Sequence, residues 1–171
     1  MTLRFASILS LTLLTACSGS DIQGVKTYTY PSGQHQPGLV VYKEVPAVGG
    51  PHNPAWQNCG VYSAPLYPSY VVHSLEHGAV SITYRPGIPA AQLSLLGDLA
   101  RTRDYTLLSP LDTQASPIVL SAWGAQLAIE DAGDARVKAF LDRYEQAKSA
   151  PEPGAPCSGG VIRIPNKSSN I

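Results

Sequence analysis

The sequence predicts an α+β fold: a small mixed β-sheet with two main helices packed on it, joined by many Pro/Gly-rich loops. Three observations carry that reading. Strand-like and helix-like periodicities follow one another as strand, helix, strand, strand, helix, without an internal repeat. Fifteen glycines and fifteen prolines exceed average usage and favour turns and short elements over long helices. A chain of 171 residues has room for one domain with a modest core.

Residues 1–16 read as a lipoprotein signal peptide. Arg4 supplies the positive end, and Phe5 to Leu14 form an apolar stretch too short to span a bilayer. It ends in Leu14-Thr15-Ala16-Cys17, which looks like a lipobox, so Cys17 is the expected lipidation site. The alternative is an ordinary secretory signal with an incidental Cys17. Residues 17–38 follow as a lipid-anchored flexible tether with an irregular lead-in, beginning Ser18, Gly19, Ser20, Asp21 and including Pro31-Ser32-Gly33 and Pro37-Gly38. The single α+β domain is expected over 39–164, with a disordered tail at 165–171.

Within the domain, Leu39 to Tyr42 is a short strand candidate. Residues 46–58 hold three prolines and two glycines and must be a loop with a constrained backbone. Val61 and Tyr62 begin a strand or turn, and Ala79 to Tyr84 alternates with β-branched residues as a half-buried strand does. Pro89 opens a helix at a first-turn position, with Leu93, Leu96 and Ala100 on its apolar face and Gly97 weakening it. Tyr105 to Ser109 and Ile118 to Ala122 are strands, and Gln126 to Ile129 is a further candidate. Asp134 caps the best helix, with Val137, Phe140, Leu141 and Tyr144 at 0, +3, +4 and +7. Val161 to Ile164 would add an edge strand.

Charge excludes some functions. Charged residues are 14% of the chain, with 12 basic and 12 acidic side chains. Removing residues 1–16 takes away Arg4 and leaves 11 basic against 12 acidic, so no basic field exists for nucleic acid. Cysteine usage agrees with an exported protein. A lipidated Cys17 leaves Cys59 and Cys157, an even pair that outside the cytoplasm most often forms a disulfide. That bond would close a loop of nearly a hundred residues and contribute roughly 4 kcal/mol. The competing reading makes one or both thiolates soft metal ligands. Neither cysteine belongs to a CxxC pair, and the only methionine is Met1, which excludes a Met-rich cuprous site.

The chemistry-bearing run is His73-Ser74-Leu75-Glu76-His77, closed by Gly78. On a helix, imidazoles at i and i+4 lie roughly 6 Å apart and can share one ion. On a strand, at about 3.3 Å per residue, they stand roughly 13 Å apart and cannot. Pro68 and Ser69 before the run and Gly78 after it favour a single helical turn, with Ser69 as cap and Gly78 as stop, while Val71 and Val72 oppose it. His52, in its Pro-braced loop, is the expected third ligand, whereas His35 falls in the tether and is expected in solvent. The candidate metal set is therefore His52, His73, His77 and Glu76, suited to zinc or cupric copper, with Glu76 as a fourth ligand or an orienting acceptor. The bland alternative is a hydrogen-bonded polar cluster that braces loops.

The same run also reads as H-x-x-E-H, in which Glu76 would be the general base of a zinc hydrolase. Such enzymes need a long active-site helix and a distant acidic ligand, for which Glu145 and Glu152 are formal candidates. There is no G-x-S-x-G around Ser121 or Ser158 and no phosphate loop at either Gly-Gly pair. Trp56 and Trp123 fit core or pocket walls better than base-stacking platforms.

Gly49-Gly50-Pro51-His52, Asn58-Cys59-Gly60-Val61-Tyr62, Val72 to Gly78, Ser121-Ala122-Trp123-Gly124 and Gly154-Ala155-Pro156-Cys157 resemble the bacterial domain-of-unknown-function family 3105. The similarity covers roughly residues 40–160, and the motif around His73 and His77 is its specific part. Where the family pattern reads Ser-Gly-Pro-His, this chain has Gly49 before Gly50, which leaves His52 in place. The resemblance implies anchorage outside the membrane and supplies no activity. The reading is thus a cell-envelope lipoprotein, anchored through Cys17 to the cell membrane and facing its extracytoplasmic side. It binds copper or zinc without turnover and has no identified protein partner. The hydrolase, and a structural or interaction lipoprotein without metal, are the alternatives.

Overall fold

The computed structural model describes residues 21–38 and 40–162. Cys17 and the rest of the signal and lipobox reading therefore lie outside the described residues. Among the described residues, no helix is long and apolar enough to cross a membrane.

Among the described residues there are six strands and three helices, and the strands form one mixed sheet in the order β1-β6-β5-β3-β4-β2. They are β1 (Lys26–Thr27), β2 (Gly60–Val61), β3 (Val80–Tyr84), β4 (Thr106–Pro110), β5 (Ile118–Ala122) and β6 (Ala125–Ile129). Three helices accompany them: α1 (Pro68–Glu76), α2 (Ala90–Arg101) and α3 (Ala135–Tyr144). The α+β expectation holds. β3 and β4 pair in parallel, as do β2 and β4, while β3–β5, β5–β6 and β1–β6 are antiparallel. A parallel neighbour needs a crossover, and α2 supplies it between β3 and β4.

Register explains the two sheet faces. Val80, Ile82, Leu108, Ile118, Leu120, Leu127 and Ile129 point one way and pack against Leu96 and Ala100 of α2 and Val137, Phe140 and Leu141 of α3. The helical spacing read from the sequence is the spacing that makes this core. Asp134 caps α3 by accepting from the backbone N–H of Arg136. Pro89 sits one place earlier than expected, at the N-cap of α2. The opposite sheet face carries Ser81, Thr83, Ser109 and Ser121, all buried. It lies beneath α1 and the loop around residues 46–47, where a cavity of about 200 Å³ remains. Helices thus occupy both faces.

α1 is the element that positions the site. It is a full nine-residue helix with Pro68 in its first turn and Tyr67 at the N-cap, so Ser69 is buried within the helix rather than capping it. Val72 and Leu75 are fully buried, and that packing outweighs the weak helix preference of Val71 and Val72. Gly78 ends the helix at φ +90°, with Gly78 N–H donating to Leu75 O and Ala79 N–H to Ser74 O, a Schellman closure. A Cβ there would meet Gln146 Nε2 at 2.6 Å.

Two strand expectations need correction. Residues 40–42 form no strand, and Leu39 lies outside the described residues. Val41 is 96% exposed, so the apolar pattern there finds no sheet to join. Val161 makes only an isolated bridge to Gln57, and residues 163–164 lie outside the described residues. Conversely, part of the segment read as tether is built into the fold. β1 pairs with β6, and Ile22 and Val25 pack against the main core. Cys59 and Cys157 form a disulfide, with Cα atoms 5.4 Å apart and a sequence separation of 98.

Candidate metal centre

Three non-adjacent segments converge beside α1. The helix contributes His73 and Glu76, three positions apart and so on one face. The loop 46–58 contributes His52. It is held against the helix by Asn53 N–H donating to Ser69 O and Gln57 N–H to Tyr70 O, and against the sheet by Gly124 N–H donating to Val48 O. The third segment is residues 34–36, which run alongside His52: Gln36 N–H donates to His52 O at 2.7 Å and His52 N–H to Gln34 O at 3.0 Å. This pairing delivers His35 to the cluster.

His35, His52, His73 and Glu76 each offer one donor atom, and the four atoms all lie within 4.8 Å of one another. Glu76 is fully buried, with Oε2 at 2.8 Å from His52 Nε2 and 3.8 Å from His35 Nε2. For bonds of about 2.1 Å in a tetrahedron, neighbouring donors stand about 3.4 Å apart. The two measured separations bracket that value.

The tautomers follow from the backbone. His52 Nδ1 lies 2.8 Å from Gly50 O and His73 Nδ1 lies 2.7 Å from Asn53 O. A carbonyl oxygen only accepts, so each Nδ1 carries a proton and each Nε2 is turned to the cluster. Ligating histidines are oriented in this way, by a carbonyl on the far nitrogen. His52 Nε2 then faces Glu76 Oε2 at 2.8 Å. Among the buried groups these two atoms have no hydrogen-bond partner. Something positive belongs between them, either a proton on His52 or a metal cation. The donor set of three imidazoles and one carboxylate fits zinc or cupric copper.

His77 lies outside this set. Its ring is 4.5 Å from that of His73, but Nδ1 donates to Pro156 O and Nε2 is 3.7 Å from Glu152 Oε2. His77 is the C-cap of α1, one turn past His73 on the same side, and its two ring nitrogens are directed to Pro156 and Glu152 instead. His35, expected in solvent, stands where His77 was expected. The signal that could have found it is its bracketing by Pro31-Ser32-Gly33 and Pro37-Gly38, two turn-forming runs that stop the segment from trailing freely. Trp56 packs edge-on to His73 and tilted against His77, and Trp123 lies at 90° to His52, so both tryptophans wall the cluster. Glu145 is engaged by Arg103 and Tyr105 N–H, away from the cluster.

Burial pushes the imidazolium of His73 down to about 4; the Asn53 carbonyl opposes this in part, and the neighbouring His77, His52 and His35 add to it. His73 is therefore a neutral donor at neutral pH. The linkage has a definite sign. The unfolded chain takes up a proton near 6.5 and the folded metal-free protein only near 4. Stability conferred by neutral His73 is thus complete above pH 6.5 and is lost as pH falls towards 4, by up to about 3 kcal/mol at ~1.4 kcal/mol per unit. Urea unfolding of metal-stripped protein at pH 7 and pH 4.5 checks this, and the alanine variant of His73 should flatten the difference.

With these contacts in view, comparison with known proteins adds one decisive match. The family model described as "Protein of unknown function (DUF3105)" matches residues 34–159. The chain belongs to the DUF3105 family. Its matched span holds both disulfide cysteines and all four converging side chains, and it begins at Gln34, immediately before His35. No curated protein and no solved structure matches the chain.

Proposed function

We propose that this DUF3105 protein is a non-enzymatic metal-binding lipoprotein of the cell envelope, holding zinc or cupric copper through His35, His52, His73 and Glu76. The observation that carries the reading is the facing pair His52 Nε2 and Glu76 Oε2, fully buried, 2.8 Å apart and neither with a hydrogen-bond partner, inside a ring of four donors. Four donors complete a tetrahedral shell and leave no open position for substrate, which favours holding a metal over using it. Glu76 is poorly placed as a general base, because Oε1 already accepts from Gly33 N–H at 2.6 Å and Oε2 faces the imidazoles. The lipobox-like Leu14-Thr15-Ala16-Cys17 supports anchorage through lipid on Cys17, and the paired Cys59 and Cys157 suit an oxidising, extracytoplasmic location.

Metal analysis tests the reading on the full chain, purified in detergent without a histidine affinity tag, stripped, and re-exposed to equimolar zinc and copper. Near-stoichiometric metal is expected in the wild type and little in His52→Ala/His73→Ala. A folded wild type that retains none sinks the metal reading and leaves the cluster as an imidazolium–carboxylate brace.

A further inference from the structure

The four proposed ligands are not held alike. His52 and Glu76 are fully buried and His73 is 4% exposed, whereas the side chain of His35 is 42% exposed. His52 and His73 each have a carbonyl fixing Nδ1. Among the described residues, the ring of His35 has none.

The backbone around His35 differs in the same way. Residues 31–38 are all exposed. The strap that carries His35 is docked by Gly33 N–H on Glu76 Oε1 and by the two backbone bonds that Gln34 and Gln36 exchange with His52. Gly33 and Gly38 flank it at φ +67° and +91°, and a Cβ built on either meets nothing within 4 Å. The strap is therefore held at its site face and unencumbered on its outer face. Glu76 joins the two events: one oxygen holds the strap, and the other faces the metal position. An ion at Oε2 also fixes the carboxylate whose Oε1 docks Gly33.

We propose that His35 is the exchange ligand of this centre, the one that leaves when metal is handed to an acceptor. The inference rests on the metal-binding reading above. In the step, the bond from the ion to the His35 imidazole breaks and a bond to a nitrogen or sulfur donor of the acceptor forms on the exposed side, with no change in the charge of the ion. His52, His73 and Glu76 hold the ion until the acceptor has supplied further donors. Metal binding in turn closes the strap, and its loss loosens residues 33–36.

The test uses the zinc-loaded full chain, with transfer followed to the chelating dye 4-(2-pyridylazo)resorcinol, and amide hydrogen exchange of residues 31–38 with and without zinc. His35→Ala is expected to keep zinc at micromolar protein and release it to the dye at least 10-fold faster. Gly33→Ala, strained at its positive φ, should loosen the strap without removing a ligand and also speed transfer. Zinc should slow exchange over 31–38 in the wild type and not in His35→Ala. Zinc loss from His35→Ala as complete as from His73→Ala would overturn the proposal, as would unchanged transfer in both variants. A wild type that takes up no zinc would overturn the metal reading and this inference with it. A wild type that binds zinc but transfers it no more slowly than the variants overturns this inference alone.

Discussion

Glu76→Gln is expected to cost at least about 100-fold in zinc or copper affinity, because it removes the anionic ligand that a cation needs. The amide keeps an oxygen to accept from Gly33 N–H, as Glu76 Oε1 does at 2.6 Å, so the contact to the strap survives. Where a proton on His52 takes the place of the ion, 2.8 Å from Glu76 Oε2, removing one charge of that buried pair costs about 3–5 kcal/mol. Metal titration, with urea unfolding of the stripped variant beside it, separates a metal centre from a brace. A large loss of stability in Glu76→Gln with no metal bound by either protein would identify a brace.

The second large effect is expected from Cys59→Ser/Cys157→Ser. A closed loop spanning 98 positions corresponds to about 4 kcal/mol of chain entropy, and for a chain of this size that lowers Tm by roughly 8–16 °C. The bond holds the C-terminal segment against the site region. Pro156, next to Cys157, accepts from His77 Nδ1, and Glu152 N–H donates to Glu76 O at the end of α1. Cys59 N–H also donates to Cys157 O at 2.8 Å. Thermal unfolding of the oxidised wild type and the double variant measures the effect. A change below about 1 kcal/mol would show that these backbone bonds dock the segment without the covalent link.

Much of the regular structure was legible because its signals are local. Val137, Phe140 and Leu141 recur at helical spacing and all three are buried against the sheet. The alternation of Ala79 to Tyr84 became β3, and Gly78 stopped α1 as a glycine at positive φ does. Paired strands were harder to bound at the edges. The apolar residues 40–42 carry a strand composition yet lie in a loop, with Val40 and Tyr42 half-buried and Val41 exposed, while polar Lys26–Thr27 pairs with β6. An edge strand two residues long is selected by its neighbour's free N–H and C=O groups, which no local composition encodes.

The sequence by itself singled out His73 and His77, two imidazoles at i and i+4 with Glu76 between them, and His52 on a loop braced by prolines. Only the tertiary structure brought His35 rather than His77 within reach of the other donors. Spacing on one helix places His77 one turn above His73, and the rings do lie 4.5 Å apart, but spacing does not say which nitrogens are free. The Nδ1 of His77 is taken by a carbonyl 79 residues away, brought there by the disulfide-tied segment. His35 reaches the cluster through backbone bonds to His52 and through Gly33 on Glu76, contacts between positions 17 and 43 residues apart. A metal shell is closed by whichever donors the folded chain brings within a few ångströms. That proximity is a property of long-range pairing, and periodicity along the chain cannot carry it.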